Sequence, residues 1–248
     1  MTLFDDPPVY GPETMNCLLY GSPGAGKTTA AATAPGPIVW VNLDGSNAMV
    51  FARKIAAERG TKLLEVQIAP DEDPRTRLRE VIGYSYSSPV GTIVIDGVGK
   101  LREQIAFAVG GENPTMAEWG TVGKAMRDLI RTLRDLKLNV VFIAHEQVVE
   151  EAGAVIVRPE VDAKGRTAEL LMGEVDVVGY CGVIEKEGAR SYAAQLVERN
   201  GRRAKDRSGA LGTIRDLDLS EWLETFTKAL ATDTSDIPFT NGEVKNED

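Results

Sequence analysis

Along the first 145 residues, short runs of consecutive apolar residues alternate with longer segments in which apolar positions return every three to four residues. The runs are NCLLY at 16–20, PIVWVNLDG ending near Asp44, residues 62–68, GTIVIDGV through Asp96, and NVVFIA at 139–144. Runs of this length and β-branched content read as strands, the one at 62–68 as a short strand. The segments between them read as helices: residues 48–59, the stretch DEDPRTRLREVIGY from Asp71, and a helix with apolar residues at Val122, Met126, Leu129 or Ile130, Leu133 and Leu136. On that last helix Lys124, Arg127, Arg131 and Arg134 fall on another side with Asp128 and Asp135, which reads as a solvated face. Strands alternating with helices imply a mostly parallel sheet covered on both sides.

The pattern changes after Ala144. Residues 146–172 carry few apolar anchors and predict a long irregular excursion, and GGENPTMAEWG at 110–120 predicts a mobile loop leading into a helix. Two further apolar runs joined by a turn at Glu187 and Gly188 predict an antiparallel hairpin, and Ser220 caps a final helix over 220–231. Residues 1–13, with Pro7, Pro8, Gly11 and Pro12, read as an irregular lead-in, 14–231 as one folded domain, and 232–248 as an acidic disordered tail.

With 248 residues, 43% of them hydrophobic, the chain can bury a sizeable core. It holds no apolar run of about 18 residues, and its start, MTLFDDPPVY, is acidic where a signal peptide is basic, so the expectation is a cytosolic protein without a membrane span. Cys17 and Cys181 sit in apolar runs as reduced thiols, and with a single histidine they make no zinc set. The net charge of −9 argues against coating of nucleic acid by bulk attraction, though not against a local basic groove.

Chemistry concentrates after the first strand. Gly21, Gly26, Lys27 and Thr28 satisfy G-x-x-x-x-G-K-[ST], so Gly21, Ser22, Pro23, Gly24, Ala25, Gly26, Lys27, Thr28 and Thr29 form a phosphate-binding loop whose N–H groups, with the start of the next helix, cradle a polyphosphate. ATP with Mg²⁺ is the expected ligand: Lys27 reaches the β- and γ-phosphates, and the Thr28 hydroxyl ligates the metal. Asp96, closing four β-formers, would hold the water shell of Mg²⁺ beside Thr28; the plainer reading is a helix-capping aspartate.

GSPGAGKTT at Gly21, VWVNLDG through Asp44, TIVID ending at Asp96, GKAMRDLIRTL followed by NVVFIAHE at His145, and AKDR at Ala204 stand in an order that resembles the RecA-like recombinase core. In particular the chain is similar to the short RecA-related single-strand annealing proteins of bacteriophages, over about residues 14–230. The resemblance implies a RecA-like P-loop core, a mostly parallel twisted sheet flanked by helices with a C-terminal antiparallel hairpin. It implies a slow DNA-dependent ATPase that assembles on single-stranded DNA and promotes annealing, in the host cytoplasm if phage-encoded.

By the same resemblance Asp44 polarises the attacking water, where relatives commonly have Glu, and His145 senses the γ-phosphate, where they usually have Gln. Gly97 stands where many have a hydroxyl residue. Lys205 and Arg207 would reach the γ-phosphate of a neighbouring subunit in a ring or filament, and Trp119, Arg158, Lys164 and Arg166 would line a single-stranded DNA groove. For each of these the bland alternative stays open: a turn residue at Asp44, a core histidine, a solvated basic turn. SDIPFT at 235–240 resembles the tip by which single-stranded DNA-binding proteins recruit partners, which makes a protein partner for the tail an expectation. Two other functions stay open, an ATP-gated scaffold with little turnover and an oligomeric remodelling ATPase of the AAA+ type.

Overall fold

The five-residue apolar run at Asn16–Tyr20 forms β1, every residue of it buried, and the glycine-bearing turn after it leads into α1 (Lys27–Ala31). In this computed structural model the described residues are 13–45, 47, 49–162, 166–186 and 189–231. The expected lead-in, the acidic tail with its SDIPFT stretch, and Lys164 therefore lie outside the described residues, apart from residue 13.

The chain continues through β2 (Ile38–Asn42), α2 (Met49–Glu58), β3 (Leu63–Gln67), α3 (Pro74–Ser87), β4 (Thr92–Asp96), α4 (Val98–Gly110) and α5 (Met116–Arg134). Next come β5 (Asn139–Glu151), β6 (Ala154–Glu160), α6 (Arg166–Glu174), β7 (Val177–Lys186), β8 (Ala189–Gln195), β9 (Lys205–Asp206), β10 (Ile214–Asp216) and α7 (Leu219–Leu230). The strands form one sheet in the order β10-β8-β7-β1-β5-β4-β2-β3, with β6 added to β5 and β9 to β7. From β7 to β3 all neighbours are parallel, whereas β7–β8 and β8–β10 are antiparallel. This is the expected mostly parallel α/β sheet flanked by helices, with its C-terminal antiparallel hairpin.

Alternate residues of the parallel strands feed two cores, as the two-residue period of a strand requires. Leu18, Tyr20, Ile93, Ile95 and Phe142 pack with α4, α5 and α6, while Leu19, Trp40, Val94 and Ile143 pack with α1 and α7. On α5 the predicted positions Val122, Met126, Ile130 and Leu133 are buried, and Arg131 and Arg134 on its other side both pair with Glu174 of α6.

Three expectations are corrected. Residues 146–160 are an extension of β5 and its hairpin partner β6 rather than an irregular excursion, followed by α6. Val148 and Val149 on one strand face Val157 and Ile156 on the other, and Ala152 and Gly153, both at positive φ, supply the tight primed turn. The loop expected at 110–120 is confined to residues 111–115: Thr115 and Glu118 form a reciprocal capping box, so Trp119 lies in the first turn of α5 rather than in the loop. The last helix is capped by Asp218, whose carboxylate accepts from the Ser220 and Glu221 amides, while the Ser220 hydroxyl donates to Thr33 O at 2.7 Å.

α7 closes the α1 side of the sheet through Trp222, fully buried, whose indole N–H donates to Asp216 O at 2.8 Å. Trp222→Ala is expected to lower unfolding stability by about 3–5 kcal/mol in urea denaturation, and Trp222→Phe by roughly 1–2 kcal/mol.

Candidate functional site

Strand register decides which residues meet. Tyr20 pairs with Ala144, Ile143 with Asp96, and Asp96 with Asn42. The loop after β1, the turn after β2, the end of β4 and the middle of β5 therefore share one edge of the sheet, the carboxyl edge where α/β proteins bind ligands.

At that edge the loop over 21–26 turns on three glycines at positive φ, Gly21, Gly24 and Gly26. A Cβ on Gly21 would stand 2.4 Å from Cys181 O on β7, so the first position tolerates no side chain. α1 is only five residues long, so anion attraction here rests on the free N–H groups of the loop and first turn rather than on a long helix. Lys27 is buried, and its ammonium donates to Gly21 O at 2.8 Å and Ser22 O at 2.9 Å. Burial lowers its pKa, opposed by nearby acidic groups that include Asp96 and Glu146.

Asp96 is 1% exposed, and the Thr28 hydroxyl lies 3.4 Å from its Oδ2. Burial and then the Asp44 carboxylate push its pKa up to about 7, against the pull of Lys27, Thr28 and the Trp40 indole. A buried carboxylate beside a hydroxyl, raised because it lacks enough positive charge, is a hard-oxygen donor set that fits Mg²⁺. No group of three or more His, Cys, Asp or Glu able to hold a metal occurs among the described residues, and a Mg²⁺ bound mainly by phosphate oxygens and water needs none. Gly97 follows Asp96 through a cis peptide and offers no side chain.

Asp44 lies in the turn after β2, its amide accepted by Asn42 Oδ1 at 2.9 Å, and its carboxylate pairs with Lys100 Nζ of α4 at 2.7 Å. His145 is exposed rather than in the core. Both line a cleft of about 680 Å³ together with Lys27, Thr28, Asp96 and Lys100. Trp119 lines the same cleft with the Arg102 guanidinium stacked 4.6 Å from its ring centroid. Lys100 and Arg102 were not singled out by the sequence, because α4 has no motif and its turn toward the loop is a tertiary fact.

The remaining site candidates lie elsewhere. Lys205 is level with Leu18 in register, roughly 10 Å short of the loop along the strand direction. Its ammonium donates to Met172 O and Gly173 O at 2.8 and 3.2 Å, and Arg207 pairs with Asp176 at 2.8 Å. Neither reaches the loop of its own chain. Arg158 is buried and paired with Glu151 at 2.8 Å, so its expected place in an open DNA groove is corrected: the hairpin folds its guanidinium inward. Arg166 is exposed at the start of α6.

A profile of the AAA domain family AAA_24 matches residues 13–208. Among solved structures, a KaiC-like protein, PH0186, from the hyperthermophilic archaeon Pyrococcus horikoshii OT3 is 15% identical, with a TM-score of 0.46, over 77% of this chain and 83% of that one. No curated protein matches. No helix among the described residues is long and apolar enough to cross a membrane.

Because Asp96 is neutral more readily in the folded than in the unfolded chain, its contribution to stability is full below about pH 4 and declines as pH rises through about 7. In metal-free buffer Asp96→Asn is therefore expected to be more stable than the parent at pH 8, by roughly 3–4 kcal/mol, with the difference closing toward pH 4. Chemical denaturation of both proteins across that range, with EDTA present, measures it.

Proposed function

The chain belongs to this AAA-domain family of P-loop ATPases, and from that premise we propose that it is a Mg²⁺-dependent ATPase that assembles on single-stranded DNA and promotes annealing or recombination in phage DNA metabolism. The observation that carries the ATPase reading is the meeting of Lys27, Thr28, Asp96 and Asp44 in one cleft at the carboxyl edge. The Lys27 ammonium, now on two loop carbonyls, is the group free to neutralise phosphate oxygens. Thr28 and Asp96 would hold Mg²⁺, whose charge supplies stabilisation for the transferring phosphoryl group. In this reading Asp44 orients and polarises water and His145 donates to the terminal phosphate, which is supported by both residues lining the cleft.

Single-stranded DNA is supported by the Arg102–Trp119 pair at the same cleft, which offers a cation and a π face together, and by exposed Arg166. Lys205 and Arg207, too far from their own loop, fit action on a neighbouring subunit, which makes the working species an oligomer.

The Lys100–Asp44 ion pair favours a second reading, an ATP-gated scaffold with little turnover, because it occupies the carboxylate that would activate water. Phosphate release with and without single-stranded DNA separates the two. Stimulation by DNA that disappears in Lys27→Ala is the expected result, and turnover no higher than in that variant favours the scaffold. For Lys205→Ala or Arg207→Ala turnover is expected to fall at least tenfold with nucleotide affinity nearly kept, since an across-boundary cation acts on the transition state. Equal loss of affinity in a binding titration would mark these two residues as structural.

A further inference from the structure

Asp44 can act on water only if the turn that carries it holds one shape, and that turn is supported by side chains remote from the phosphate loop. Residues 42–45, NLDG, leave the end of β2 beside Asp96. The Leu43 amide donates to Asp96 O at 2.6 Å, which ties the turn to β4. Gly45, at φ 93°, completes the bend.

Behind the turn stands Asn42, the last residue of β2 and 2% exposed. Its Oδ1 accepts from the Asp44 amide at 2.9 Å, and its Nδ2 donates to Gly45 O at 3.0 Å and to Glu65 Oε1 of β3 at 2.8 Å. These contacts need one acceptor and two donors on a short side chain, which only asparagine supplies: a carboxylate has no donor, a hydroxyl has one, and glutamine is a methylene longer. Glu65 is fixed in its turn. The Gln67 side chain donates to its Oε1 at 3.2 Å, and the Arg53 guanidinium of α2 pairs with its Oε2. Burial raises the Glu65 pKa, but donation from Asn42, Gln67 and Arg53 outweighs burial and holds the carboxyl below its ordinary value. Side-chain contacts therefore run from half-exposed Arg53 through Glu65 and Asn42 to the backbone of Asp44, whose carboxylate meets Lys100 on the cleft side.

We propose that Asn42 is a positioning residue of the ATPase site, acting through the backbone of Asp44, with Glu65 and Arg53 fixing its amide. The assignment rests on the reading of Asp44 as the carboxylate that polarises water, and it adds the residues that aim it. Asn42 is not among the residues lining the cleft, so its loss alters the direction of Asp44 and not the capture of phosphate. In-line attack tolerates little misplacement.

Steady-state phosphate release, calorimetric titration with ADP in Mg²⁺, and amide hydrogen exchange by NMR, all on the full chain, test it. In Asn42→Ala kcat is expected to fall by about ten- to hundredfold, with KM and ADP affinity kept within about twofold. In an Asp44→Ala background the same substitution is expected to cost no further turnover, because the group it aims is gone. Without metal or nucleotide, the Asp44 amide is expected to exchange at least about tenfold faster in Asn42→Ala than in the parent. Equal loss of turnover in both backgrounds, a matching loss of ADP affinity, or an unchanged Asp44 exchange rate overturns the proposal and marks Asn42 as structural. If Asn42→Ala does not fold, Glu65→Leu decides: kcat lower by about fivefold at unchanged KM supports the role, and unchanged kcat overturns it. A parent with no turnover above Lys27→Ala overturns the ATPase reading, and the positioning role with it, whatever the exchange rates.

Discussion

Burial of one carboxylate at the end of β4 constrains the rest of the site. Asp96 is held at 1% exposure by neighbours that are themselves fully buried, with Trp40 and Ile143 on the adjoining strands. Leaving such a group charged costs several kcal/mol unless positive charge stands beside it. Lys27 is part of that compensation, and it is divided, since its ammonium also serves the carbonyls of Gly21 and Ser22. The folded chain is thus short of positive charge where Thr28 and Asp96 approach each other, and in the proposed site that charge would come from a divalent cation.

A second set of contacts joins the loop strand to the surface hairpin. The Tyr20 phenol, on β1 directly before Gly21, lies 2.6 Å from Arg203 O and 3.1 Å from Val157 O. The backbone of Val157 on β6 exchanges hydrogen bonds with Gly201 and Arg203. The hairpin that carries His145 and Gln147 into the cleft is therefore tied to both β1 and the basic turn at 199–203. The Arg202 guanidinium stacked on the Tyr180 ring at 4.7 Å strengthens the same corner.

Much of this was legible from residue order. The runs at 16–20 and 92–96 could be little but central strands, and the glycine spacing before Lys27 has few uses besides cradling phosphate. The hairpin at β5 and β6 escaped notice because its apolar residues are few and lie on two short strands, a signal that only pairing makes visible. Ser220 was read as a cap because it precedes the apolar stripe, whereas Asp218 is the residue whose geometry meets the free amides.

What the sequence determined by itself was therefore local: the loop, the periodicity of each segment and the acid at the end of a strand, because a backbone turn, a two- or 3.6-residue repeat and a run of β-formers act over neighbouring residues. Only the tertiary structure decided which distant groups meet. It brought Lys100 onto Asp44, Arg102 onto Trp119 and Glu65 onto Asn42, and it turned Arg158 inward against Glu151. Strand order and register set those encounters, and they follow from the packing of the whole sheet against its two helical layers, which no single stretch of the chain encodes.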